Sequence, residues 1–125
     1  MLLENRETLV ACHTMGFNPY FHNEDTIIVN LREKEELIQH ADKVEHIFFY
    51  GAGCSAPDLV GIVRRALQSI FQRANIRVGH DLEGAALATY RGYPQIACIL
   101  GTGSNSCFFD GKNLTEEVPA LAYIL

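Results

Sequence analysis

The hydrophobic pattern changes period several times along the chain, and each change marks an element. Met1–Leu3 has the look of a strand's end. The polar turn Asn5-Arg6-Glu7 separates it from a second strand over Thr8–Thr14, so the two predict a hairpin. Gly16-Phe17-Asn18-Pro19-Tyr20-Phe21 then leaves the sheet. From Asn23 to Ala41, Ile27, Ile28, Leu31, Leu37 and Ile38 recur with helical spacing, and Arg32–Glu36 supplies a solvated face. Val44–Tyr50 is a buried-type strand. Leu59, Ile62, Val63, Ala66, Leu67, Ile70 and Phe71 repeat as the core stripe of a helix whose first turn suits Pro57. Asn75–Gly79 is a short strand, and Leu82–Tyr90 a helix of small residues that packs closely on a neighbour. Gly92-Tyr93-Pro94 breaks the chain. Ile96–Leu100 and Ser106–Phe109 are short strands around the turn Gly101–Asn105, and Asp110-Gly111 is a further hairpin signal.

Strands alternating with helices predict an α/β fold with ligands at the strand ends. A hairpin feeding that alternation predicts a mixed sheet with flanking helices. Gly92–Pro94 reads as a hinge, which divides the chain into a lobe over residues 1–93 and the opening hairpin of another over 94–125.

Composition narrows the function classes. The 125 residues are 48% hydrophobic, enough for a real core, and the net charge of −5 with no basic run argues against nucleic-acid binding. Met1-Leu2-Leu3 is followed at once by Glu4, Asn5, Arg6 and Glu7, unlike a secretory leader, and no apolar run reaches spanning length. Cys12, Cys54, Cys98 and Cys107 form no Cys-x-x-Cys pair, so neither zinc nor a disulfide framework is signalled. A cytoplasmic protein is the simplest expectation.

Four places carry candidate chemistry. In the turn Gly101-Thr102-Gly103-Ser104-Asn105, two glycines permit close backbone approach, and amide and hydroxyl donors can converge on a phosphate. An ordinary hairpin turn would read the same way. Asp81 follows a strand and precedes a helix. It can take a proton from a substrate hydroxyl, or simply cap the helix through N–H groups two or three residues on. His80, pointing the opposite way in a strand, is given no role. Gly51-x-Gly53-x-x-Ala56 fits a dinucleotide fingerprint, although Asp81 lies further on than the usual ~20 residues. Cys54 fails the nucleophile-elbow pattern because positions 52 and 56 are both Ala. Asn18, held extended by Pro19, can project its side chain from a fixed backbone.

Taken together, Gly51-Ala52-Gly53-Cys54, His80-Asp81-Leu82-Glu83-Gly84-Ala85-Ala86-Leu87-Ala88 and Ile96-Ala97-Cys98-Ile99-Leu100-Gly101-Thr102-Gly103-Ser104-Asn105-Ser106 resemble the N-acetylglucosamine kinase family. That family stands with the benzoyl-CoA-reductase-activase-type ATPases in the actin, hexokinase and heat-shock-ATPase superfamily. Gly16-Phe17-Asn18-Pro19-Tyr20 resembles its Gly-x-Asn-Pro segment. The resemblance implies two ribonuclease-H-like lobes closing on ATP and a sugar, with Mg²⁺ on the phosphates. It implies that Gly101, Thr102, Gly103 and Ser104 form the second phosphate-binding turn. Asp81 would take the proton of the sugar 6-hydroxyl, and Asn18 would hydrogen-bond the sugar.

The chain departs from the family at its ends. The family's opening strand and Asp-x-Gly-x-Thr-Lys-Thr-like turn have no counterpart, and the later Gly-Asp-Glu-Gly segment is not found before Leu125. The expectation is therefore a ribonuclease-H-like lobe short of its first strand plus the start of a second. Such a chain, alone, is expected to be marginally stable, to self-associate through exposed Phe108, Phe109 and Val118–Leu125, and to be inactive. The rival expectations are a naturally truncated relative that holds a sugar or a partner without catalysis, and a dinucleotide-binding domain at Gly51–Ala56.

Overall fold

The computed structural model describes residues 1–100, 103–115 and 121–122. The chain forms two compact units, Met1–Gly79 and His80–Leu125.

The first unit opens with a hairpin of β1 (Leu2–Glu4) and β2 (Glu7–Val10). Asn5 and Arg6 both take positive φ, 51° and 67°. This is the backbone of a two-residue turn whose twist matches the flanking strands. β2 ends at Val10, short of the expected Thr14. The hairpin stands as its own two-stranded sheet, so the expected mixed sheet is not formed among the described residues. Nearly every hairpin position is exposed; Leu2 alone of β1 packs against the core.

The single helix expected over Asn23–Ala41 is three pieces: α1 (Glu24–Arg32), α2 (Glu35–Ile38) and a 3₁₀ turn at Ala41–Lys43. Asn23 caps α1, its side chain accepting the Thr26 N–H at 2.8 Å. The reason for the break lies in the spacing of Leu31 and Leu37. Six positions apart, they fall on different faces of a continuous helix, and only a break at Lys34 (φ −96°, ψ 84°) lets both be buried.

β3 (His46–Gly51), α3 (Pro57–Ile70) and β4 (Asn75–His80) form a β-α-β unit. The Asn75 N–H donates to the Glu45 carbonyl at 2.8 Å, so the two strands start side by side. α3 buries Val63, Ala66 and Leu67 against α1's Ile27 and Leu31, with Phe71 closing the end. Ile27 and Val63 are fully buried, worth roughly 1.5–3 kcal/mol each. Arg65 meets Glu24 at 3.1 Å across the same helix pair, but both side chains are exposed and the pair adds little.

The second unit packs α4 (Asp81–Thr89) on the antiparallel hairpin of β5 (Gln95–Leu100) and β6 (Gly103–Phe109), followed by β7 (Leu114–Thr115) and β8 (Leu121–Ala122), each paired with β6. Alternation along the strands sends Ala97, Cys107 and Phe109 inward against Leu82 and Ala86. Small residues at Ala86 and Ala97 let the helix sit close. Phe109 is thus buried rather than exposed, and its ring meets Tyr90 edge-on at 5.2 Å. Ile96 and Phe108, paired on the other face, stay exposed as expected of Phe108.

Gly92, at φ 96°, turns the chain between α4 and β5 inside this unit. The unit that holds the hairpin therefore begins at His80, because α4 belongs to its core. At the end of α4, Gln95 donates to the Ala86 carbonyl at 3.1 Å and to Thr89 Oγ1 at 3.0 Å, supplying donors to a helix end that has run out of its own.

Candidate functional site

Two clusters hold the residues the sequence singles out. In the first unit, Phe17 is buried in the core and pins the loop that follows it. The loop then folds on itself. The Asn18 N–H donates to His22 Nδ1 at 3.1 Å, and the Asn18 carbonyl accepts the N–H groups of Phe21 and His22, both at 2.9 Å. The Asn18 side chain does not simply project outward. Its Oδ1 accepts the Tyr20 N–H at 3.0 Å. Its Nδ2, among the described residues, meets no protein acceptor and remains available as a donor to a ligand hydroxyl.

Across this loop lies the turn after β3. Gly53 has φ +78°, and a Cβ there would collide with Asn18 Oδ1 and press on the Tyr20 ring. The glycine is required by this close approach within the fold. Ala56 precedes α3 without a side-chain cap, and Cys54 is buried with its neighbours rather than presented as a nucleophile. The sequence pattern showed both glycines but not that Asn18 is what Gly53 makes room for.

In the second unit, Asp81 is the first residue of α4, and His80 stands in the cap position. The simple capping role is not observed: Asp81 Oδ1 accepts the N–H of Leu82, the very next residue, at 2.8 Å. The Asp81 side chain is about one third exposed, at 34%. His80 turns toward it, with Nδ1 3.1 Å from Asp81 Oδ1, against the expectation that it faces away. The helical cap at His80 (φ −70°, ψ 150°) ends the strand alternation there, which is why strand logic misplaced this side chain.

Of the expected phosphate-binding turn, Gly101 and Thr102 lie outside the described residues. Gly103 and Ser104 are not in a turn but begin β6, three residues earlier than expected: Ser104 pairs with Leu100 on β5, and both Gly103 and Ser104 pair with β8. Among the described residues no three His, Cys, Asp or Glu side chains gather where they could hold a metal ion, and no helix is long and apolar enough to cross a membrane.

No family model and no curated protein matches the chain. Among solved structures, the chain is similar to the crystal structure of a protein from Porphyromonas gingivalis named "Putative N-acetylglucosamine Kinase", with 41% sequence identity and a TM-score of 0.76 over 88% of this chain. The chain spans 40% of the length of that protein. In sequence and in fold, then, this mixed α/β chain is similar to a segment of that kinase-named protein.

Proposed function

We propose that this chain carries part of the machinery of an ATP-dependent amino-sugar kinase of the N-acetylglucosamine kinase type, with a ribonuclease-H-like lobe and a cytoplasmic site of action. The observation that carries the reading is the 41% identity sustained over 88% of the chain with a protein named for that activity. The chemistry of the candidate residues agrees with it. Asp81 is partly exposed at a helix start, and only its Oδ1 is engaged by protein groups among the described residues. Its Oδ2 is free to accept the proton of a sugar hydroxyl, taken as the 6-hydroxyl. Asn18, with its Nδ2 uncommitted, hydrogen-bonds the sugar. Gly101, Thr102, Gly103 and Ser104 meet the phosphates of ATP.

Phosphoryl transfer asks mainly for positioning and for stabilisation of spread charge. Mg²⁺, bound to the nucleotide, would supply part of that charge. Among the described residues no three His, Cys, Asp or Glu side chains gather as a ligand set for it.

The dinucleotide alternative loses its main support, because the contact between Gly53 and Asn18 explains that glycine without any nucleotide. The test is ADP release by the natural protein that contains this chain, with N-acetylglucosamine, glucosamine, glucose or no sugar present. Release that depends on an amino sugar supports the proposal. Sugar binding without ADP release turns it into the non-catalytic reading, and neither binding nor release overturns it.

A further inference from the structure

His80 is the one described side chain with a buried polar atom that lacks a well-formed hydrogen bond: Nδ1 is shielded from solvent, and the polar atom facing it is Asp81 Oδ1 at 3.1 Å, off the line of an ideal bond. A buried imidazole nitrogen left unpaired is costly. A proton on Nδ1 directed at Oδ1 would remove that cost. The backbone supports the arrangement. His80 stands at the cap position of α4 in extended conformation, and Asp81 is the first helical residue, so the two side chains leave adjacent positions at the start of one helix.

The two contacts on Asp81 converge on one oxygen. Leu82 N–H donates to Oδ1 at 2.8 Å, and His80 Nδ1 stands beside the same atom. Leu82 N–H already holds Oδ1, and a proton on His80 Nδ1 would add a second hold on the same atom, leaving Oδ2 the carboxylate oxygen without a protein partner among the described residues.

We propose that His80 is a positioning residue: in its Nδ1–H form it holds Asp81 Oδ1 and thereby presents Oδ2 to the substrate hydroxyl. The role rests on the kinase reading. The hydroxyl O–H bond breaks, its proton passes to Oδ2, and the freed oxygen forms the bond to the γ-phosphorus of ATP while ADP leaves. His80 neither gains nor loses a proton. It acts by orientation, as supporting residues do around a catalytic carboxylate.

Two measurements on the natural protein that contains this chain test this. The first is the ¹⁵N spectrum of the His80 ring, with Asp81→Asn as comparison. The expected result is an Nδ1–H tautomer whose signals shift on substitution. An Nε2–H ring indifferent to Asp81 overturns the proposal. The second is steady-state kinetics. His80→Leu is expected to lower kcat about tenfold with little change in the KM for ATP, and His80→Asn, whose amide nitrogen can stand where Nδ1 does, to restore most of it. Equal kcat in His80→Leu and the parent also overturns the proposal. An Nδ1–H ring coupled to Asp81 in a protein without kinase turnover upholds the contact and rejects the kinase reading instead, so the two failures are separable.

Discussion

Gly53 and Asn18 face each other so closely that no side chain fits between them: at φ +78°, a Cβ on Gly53 would collide with Asn18 Oδ1. The two residues come from different loops, one after β3 and one before α1, and their contact fixes where the Asn18 amide can reach. Gly53→Ala adds both a strained backbone and a clash. It is expected to lower stability by about 1–3 kcal/mol, read as a fall in the denaturation midpoint, and to weaken sugar binding as Asn18 shifts. Gly53→Val would do the same more severely in any protein with this fold. Loss of a bound nucleotide in that variant therefore would not identify a dinucleotide site.

Arg6 sits at φ 67°, where a side chain is disfavoured. Arg6→Gly leaves the paired strands untouched and relieves that strain. It is expected to stabilise the chain by about 0.5–1 kcal/mol, seen as a raised thermal midpoint. A lowered midpoint would show that the arginine makes a contact worth more than its backbone costs.

Gln95 ties the end of α4 to β5 through Ala86 and Thr89. Gln95→Ala removes the shorter of two side-chain donors to the Ala86 carbonyl, leaving Thr89 Oγ1 at 3.5 Å, and the expected cost is about 0.5–1.5 kcal/mol. Hydrogen exchange localises the effect: amides near Thr89 should exchange faster, and those of α1 and α3 should not.

The turn from β6 to β7 is held by Asp110, whose Oδ1 accepts the N–H groups of Lys112 at 2.8 Å and Asn113 at 2.7 Å. These bonds, that from Asn113 foremost, hold the Asp110 carboxyl below its ordinary range. The folded value lies below the unfolded one. The turn's contribution is therefore present above the unfolded pKa of about 4 and fades as pH falls through the lower folded value. An NMR titration should show the Lys112 and Asn113 amide signals moving with a midpoint below that of a free aspartate. A midpoint at or above it would contradict the assignment.

How much of this was legible in the sequence follows from how local each cause is. The α3 stripe, the strands beside it and the hairpin of β5 and β6 could be placed because period and turn residues specify them within a few positions. The break between α1 and α2 could not be placed: the apolar residues continue on both sides, and only the shared core makes Leu31 and Leu37 choose one face. The same holds at the candidate site. Asp81 was legible from its place between strand and helix. His80 was not, because strand alternation was carried one residue past the point where the helical cap takes over. The start of β6 at Gly103 was missed because a Gly-Ser-rich run reads as a turn even where the ladder continues through it.

The most direct measurement compares kcat for sugar-dependent ADP release between Asp81→Asn and the parent, in the natural protein that contains this chain, with ATP affinity measured alongside. If Asp81 is the base, turnover falls by a factor on the order of 10²–10⁴ while ATP binds as before. Undiminished turnover in Asp81→Asn would contradict the account at its centre.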